Sequence, residues 1–318
     1  MRAASFIKGL AGAAYDLAPM PDHIPAPRYW GAVLTAMVTP FDASGALDLD
    51  GARRLARWLA DHGSDGLVVA ATTGESTVLT DEERLDLVRA VAEAVTVPVL
   101  AGTGSNDTLH SVVLTRQAKG VGAAGVIAVS PYYSRPPQAG IEAHFRAIAE
   151  ATSLPVMLYD VPLRTGRRVA SDVLVRLFGE VTNIVALKDA TGDPPAAASL
   201  LAQVDFDLYS GDDAYTLPLL AMGAVGVVGT TTHWTGPLFA SMIRCMRLGD
   251  VGQARAINAR LQSSFRYVNT DECVFPMAIK SLLPIIGVEA GGCRLPLPAA
   301  PEGTQERAYA VCRELGLV

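Results

Sequence analysis

Eight short, continuous apolar runs, each closed by Gly, Pro or Asp and separated by helix-like segments, restrict the fold more than any other feature of the chain. They read AVLTAMVTP, GLVVAAT, VPVLAGTG, GVIAVSPYY, LPVMLYDVP, NIVALKDAT, DLYSGDD and GVVGTTT, and begin at Ala32, Gly66, Val97, Gly125, Leu154, Asn183, Asp207 and Gly226. Unbroken rather than alternating hydrophobicity marks strands buried on both faces, as in parallel sheets covered by helices. The intervening stretches carry helical apolar spacing. In TDEERLDLVRAVAEAV, Thr80 stands at the N-cap with Glu83 at capping-box distance. Eight strands alternating with seven helical segments predict a closed (β/α)8 barrel, the TIM barrel, rather than an open doubly wound sheet.

After the eighth run the pattern is wholly helical, from LFASMIRCMRLG to AYAVCREL, and no linker divides this tail from the barrel. The expected organisation is an N-terminal extension over residues 1–29, a barrel over 30–236, and a last barrel helix plus C-terminal helical region over 237–318. Prolines and Asp16 interrupt any signal-peptide core in the leader, which reads as an extension or a mis-assigned start with Met20 as an alternative.

Composition excludes several functions. A net charge of -6 without a basic run gives no attraction to nucleic acid or to an anionic membrane. No segment reaches the roughly 18 unbroken apolar residues of a membrane-spanning helix. Cys245, Cys273, Cys293 and Cys312 form no C-x-x-C pair, which favours a reducing cytoplasm over a disulfide framework or structural zinc. His23, His62, His110, His144 and His233 show neither H-x-H nor H-E-x-x-H spacing, so no metal is expected. TGESTV matches neither a nucleophile elbow nor a phosphate loop, and Cys273, read as helical, suits a buried small hydrophobe.

In such barrels chemistry gathers at the carboxyl ends of the strands. Polar residues there are Thr72, Thr73 and Glu75 after strand two, and Tyr132 and Tyr133 after four. Tyr159, Asp160 and Arg164 follow five, Lys188 and Asp189 end six, and Ser210, Asp212 and Asp213 end seven. Of the chain's four lysines, Lys8, Lys119 and Lys280 fall in the leader or in helical segments, and Lys188 alone lies in an apolar strand. Burial there lowers an amine's pKa and frees it to attack a ketone carbonyl, which arginine cannot do. The structural alternative is an ion pair with Asp189 or Asp160. Likewise Tyr132 and Tyr133 suit rim aromatics, Thr72 and Thr73 a turn, and Arg164 a surface charge. Convergence on one barrel face favours catalysis: hydroxyls to move protons, and a guanidinium to clamp a carboxylate.

With ATTGES (71–76), SPYYSRPP (130–137), LYDVPLRTG (158–166), ALKDATG (186–192) and YSGDD (209–213) in order, the chain from about Tyr29 onward resembles the pyruvate-dependent lyases and aldolases, the family of dihydrodipicolinate synthases and N-acetylneuraminate lyases. The resemblance implies that Lys188 forms an imine with pyruvate and needs no external cofactor. Tyr159 would exchange protons beside it, and Thr72 and Tyr133 would complete a relay. Thr73, Arg164, Gly211 and Val228 would contact substrate, Thr73 through the pyruvate carboxylate. Tyr133 would enter the site of a neighbouring subunit, implying a homotetramer built as a dimer of dimers.

Arginine in PLRTG is what synthases in this family use to hold the carboxylate of aspartate semialdehyde. The implied reaction is therefore condensation of the pyruvate enamine with aspartate 4-semialdehyde to 4-hydroxy-tetrahydrodipicolinate, on the route to lysine and diaminopimelate. Alternatives are an aldolase or dehydratase for 2-keto-3-deoxy sugar acids and a non-catalytic keto-acid-binding barrel; the second has no use for a proton relay. Two departures stand out. Asp81, Arg84 and His110 occupy positions where lysine-inhibited members carry histidines and a glutamate, so weak or absent lysine feedback is expected. TTTHWTGP follows strand eight, where His233 and Trp234 are expected to bulk out a loop that bears on the second substrate.

Overall fold

The computed structural model describes residues 24–268 and 270–318; residues 1–23 of the N-terminal extension, with the alternative start at Met20, lie outside the described residues. Eight parallel strands close a barrel in sequence order. They are β1 (Val33–Ala36), β2 (Gly66–Val69), β3 (Val99–Gly102), β4 (Gly125–Val129), β5 (Val156–Asp160), β6 (Ile184–Asp189), β7 (Asp207–Ser210) and β8 (Gly226–Gly229). Each falls within one of the eight apolar runs. The TIM barrel expected from the strand count is the observed fold.

The helices on the outside are α1 (Leu49–Asp61), α2 (Asp81–Ala94), α3 (Thr108–Ala118), α4 (Gln138–Glu150), a single turn α5 (Pro162–Thr165), α6 (Ser171–Glu180), α7 (Pro194–Leu201) and α8 (Thr216–Met222). The long α9 (Thr232–Arg247) closes the barrel, and α10 (Val251–Val268), α11 (Phe275–Leu282) and α12 (Thr304–Leu315) form the C-terminal region. The capping box forms as expected: Glu83 N–H donates to Thr80 Oγ1 and Thr80 N–H donates to Glu83 Oε2. No helix of the described residues is long and apolar enough to cross a membrane.

Strand alternation divides the apolar residues into two cores. Inside the barrel lie Leu34, Val68, Leu100, Ile127, Met157, Ala186, Tyr209 and Val228, with Trp30 across the amino-terminal end. Outside, the opposite strand faces pack on the helices in one larger cluster that continues through α9 to α12. Residues 24–29 of the expected extension are tied to the barrel base: Ile24 is buried in the outer core, and Arg28 donates from its backbone N and its Nε to Asp207.

Three local readings change. His233 and Trp234 lie in no loop, because α9 starts at Thr232 immediately after β8 and both side chains are buried in its first turn. Their polar atoms are spent inside the fold: His233 Nε2 accepts from Val38 N–H, its Nδ1 donates to the Thr230 carbonyl, and Trp234 Nε1 donates to Ser264 Oγ. Burial pushes His233 down to about 4, so it is neutral and serves as a fixed structural bridge between β1 and α9. The same helix, the last of the barrel, begins at Thr232 and so ahead of residue 237, where it was expected to start. Cys273 precedes α11 instead of lying within a helix, although it is buried as expected.

Candidate active site

Lys188 projects into the barrel because Ala186 and Lys188 share the inward parity of β6. The β5–β6 register sets Tyr159 directly beside it, and the amine sits 4.2 Å from the centroid of that ring. Gly211, after β7, makes room: a Cβ there would come within 2.9 Å of Lys188 Cγ. Lys188 is 3% exposed and has no ion-pair partner among the described residues.

Neither carboxylate weighed as a partner bonds to the amine, although Asp160 Oδ1 is buried with no hydrogen-bond partner among the described residues. Asp160 Oδ2 accepts from Val169 N–H and Asp189 Oδ1 accepts from Thr191 N–H. Asp213 accepts from Thr230 and Thr231 N–H at the start of α9, so it acts on Lys188 only through space. Burial lowers Lys188 to about 8, partly opposed by Asp213 and reinforced by Arg164. A substantial neutral fraction therefore exists near neutrality. Burial raises Tyr159 to about 12, offset in part by Arg164 and by the Thr72 hydroxyl, so its phenol is held protonated and ready to donate.

A cavity of about 460 Å³ opens above this pair at the carboxyl end of the barrel. Thr72, Tyr132, Tyr133, Tyr159 and Arg164 meet on its wall. Thr73, Gly211 and Val228 are not on that wall: Thr73 and Val228 are buried, and Gly211 packs on the stem of Lys188. Lys188 itself is not on that wall; its amine adjoins the cavity through the Tyr159 ring, 4.2 Å from the ring centroid. Tyr133 borders the mouth, yet its side chain is 91% exposed and its backbone holds a φ of 71°. A tyrosine in the left-handed region costs energy that surrounding structure must repay, and such strain gathers at functional sites.

Thr72 owes its place to a clamp that spans the molecule. The loop 70–75 bends through left-handed residues at both ends, Ala70 and Glu75, each with φ 54°. Thr39 Oγ1 donates to the Gly74 carbonyl from within. Glu75 is buried and receives Lys280 Nζ of α11 at 2.7 Å on Oε1 and the Arg294 N–H at 2.9 Å on Oε2. Arg294 then grips Glu83 with both terminal nitrogens, and the Arg294 and Lys280 cations lie 4.2 and 4.4 Å from the centroid of the Phe41 ring. In the sequence Lys280 looks like an ordinary helical lysine, and Arg294, Phe41 and Phe275 carry no signal. Their partners are too distant in the chain for any local pattern to reveal them.

Of the three positions expected to replace a lysine site, two pair with each other and the third bonds to the residue that follows the loop 70–75. His110 Nε2 lies 2.7 Å from Asp81 Oδ1. The Arg84 guanidinium is buried and donates to the Ser76 carbonyl.

Fold and site together define a (β/α)8 barrel with a single buried, unpaired strand lysine beside a cavity at its carboxyl end. Residues 30–314 match the model of the dihydrodipicolinate synthetase family, and the chain belongs to that family. It is 47% identical over 295 residues to the 4-hydroxy-tetrahydrodipicolinate synthase of Moorella thermoacetica, covering 91% of this chain and 99% of that one. It is 51% identical over 274 residues to the enzyme of the same name from Acidothermus cellulolyticus, with 85% and 88% covered. Among solved structures, the dihydrodipicolinate synthase of Cyanidioschyzon merolae with lysine bound superposes with a TM-score of 0.88 at 40% identity, covering 92% of this chain and 100% of that one. The synthase of Bacillus anthracis gives 0.85 at 40% identity, with 92% and 99% covered.

Proposed function

We propose that this chain is a 4-hydroxy-tetrahydrodipicolinate synthase, a Schiff-base lyase that condenses pyruvate with aspartate 4-semialdehyde in lysine and diaminopimelate biosynthesis. The neutral Lys188 amine attacks C2 of pyruvate and water leaves, giving an imine. Loss of a proton from C3 makes the enamine, whose C3 attacks the aldehyde carbon and leaves a hydroxyl there. The amino group of the second substrate then displaces Lys188 from C2, closing the ring and returning the free amine. The imine itself is the electron sink, so no external cofactor enters. Tyr159 donates and recovers protons beside the imine, Thr72 and Tyr133 pass them on, and Thr73, Gly211 and Val228 shape the pyruvate end.

The observation that carries this reading is the solitary, desolvated Lys188 beside the Tyr159 ring, with Arg164 on the same cavity wall. Val274, Phe275, Pro276, Pro296 and Leu297 make the rim apolar. That rim suits a short semialdehyde better than the polyol tail of a deoxy sugar acid, whose hydroxyls would be left unpaired. The exposed and strained Tyr133 supports a homotetramer in which that ring completes a facing subunit's relay. The four free cysteines support a cytoplasmic setting.

The test is borohydride reduction in the presence of pyruvate, read by mass spectrometry, followed by turnover with aspartate semialdehyde and with 2-keto-3-deoxygluconate. An adduct on Lys188 and turnover of the semialdehyde are expected. Absence of the adduct would end the Schiff-base assignment, and preference for the sugar acid would end the synthase assignment.

A further inference from the structure

Arg164 is the group on which recognition of the second substrate depends, and its side chain makes no ion pair and no hydrogen bond among the described residues. It stands exposed on the one-turn α5, whose backbone is fixed by Gly166 in the left-handed conformation and by Thr165 Oγ1 donating to the carbonyls of Val161 and Arg167. Fixing the backbone does not fix a long guanidinium, which carries large rotamer entropy. Its ordered contact is with the C-terminal region: the guanidinium carbon lies 4.6 Å from the centroid of the Phe275 ring.

We infer that Phe275 is a positioning residue for the second substrate: its ring lies under the Arg164 guanidinium at the cavity wall and takes up none of its N–H groups, which stay free for a substrate carboxylate. The inference rests on the synthase reading above and names the part of the C-terminal region that takes part in recognition. The geometry has a chemical logic. A carboxylate partner would orient Arg164 but would occupy the donor fork that substrate needs. An aromatic face attracts the cation through its quadrupole and consumes no N–H.

The ring is itself rigidly held. Phe275 opens α11, whose next residues Pro276, Met277, Ala278 and Ile279 are buried and whose Lys280 is clamped to Glu75. The clamp that fixes the Thr72 loop therefore also fixes the shelf under Arg164. Pyruvate activation at Lys188 and docking of the second substrate are thus aligned by one helix outside the barrel.

The test compares F275L, F275M, F275W and R164Q in the full-length protein. F275L keeps apolar bulk without a π face and is expected to raise KM for aspartate semialdehyde on the order of three- to tenfold. Saturated kcat, KM for pyruvate and the yield of borohydride-trapped adduct should stay within about twofold of wild type. F275W should restore the wild-type KM. R164Q should raise KM further, and adding F275L to R164Q should then change nothing, because the residue acts only through the arginine.

F275M repeats the leucine arm if F275L has a lowered thermal midpoint. A wild-type KM in both F275L and F275M, failure of F275W to restore, or an undiminished F275L effect in the R164Q background would each overturn the inference. The wild-type arm separates the two ideas: trapping without turnover of the semialdehyde would reject the synthase reading, whereas normal wild-type turnover with unaffected variants would reject the role of Phe275 alone.

Discussion

Two lysines in this molecule are almost equally buried and meet opposite fates. Lys188 ends β6 inside the barrel, and Lys280 lies in α11 where the C-terminal region meets the TTGE loop. Each sits over an aromatic ring, Tyr159 at 4.2 Å and Phe41 at 4.4 Å, and burial lowers the pKa of both. Lys280 is given Glu75 at 2.7 Å and the Gly292 carbonyl at 2.6 Å. Lys188 is given none of these. The ion pair weighed as the structural alternative for Lys188 does exist in this protein, at Lys280. On the proposed function, what separates a nucleophile from a strut is the withholding of a partner, since every hydrogen bond to an ammonium raises the cost of its neutral form.

The sharpest way to break this comparison is to exchange cation for cation. K188R retains the charge but cannot form an imine, so turnover should fall on the order of a thousandfold or more with no borohydride adduct. An adduct that persists in K188R would move the nucleophile elsewhere.

Neutralising each lysine should then move stability in opposite directions. K280M leaves Glu75 buried and unpaired and should cost about 3–5 kcal/mol in chemical denaturation. K188M removes an unpaired buried amine and should stabilise by about 1–3 kcal/mol. Equal signs would dissolve the distinction.

A smaller effect is the pH dependence. The folded pKa of Lys188 is lowered to about 8 from 10.5, so the folded state is penalised below pH 8 and the penalty is relieved as pH rises from about 8 to 10.5. Imine formation should follow the neutral fraction. The rate of adduct trapping should rise close to tenfold per unit toward pH 8 and level above it. A rate that goes on rising close to tenfold per unit beyond pH 9 would mean that Lys188 is not desolvated.

The smallest expected effect concerns lysine. Asp81 engages His110 and Arg84 engages the Ser76 carbonyl, so these side chains are already committed to contacts within the fold. Millimolar lysine should leave initial rates nearly unchanged, and marked inhibition would show that these contacts open to admit it.

Legibility from sequence followed locality. All eight strands and the capping box at Thr80 were readable because burial period and cap chemistry are written within a few neighbouring residues. Lys188, Tyr159 and Arg164 were readable because each ends or follows an apolar run, and parity then places Tyr159 and Lys188 on one face. His233 and Trp234 misled. Polar and aromatic residues after a strand imitate a loop when the helix that swallows them starts at once, and only the Val38 amide, 195 positions away, explains the buried imidazole.

By itself, then, the sequence determined a closed barrel, the single strand lysine and the ring of strand-end hydroxyls, all consequences of short-range periodicity. The tertiary structure alone decided that Lys188 stands unpaired while Lys280 is clamped to Glu75 across 205 positions, and that Phe275 lies under Arg164. Pairing between residues so far apart has no sequence period. It is set by which surfaces the barrel and its C-terminal helices bury together, and that choice is made only when the chain packs.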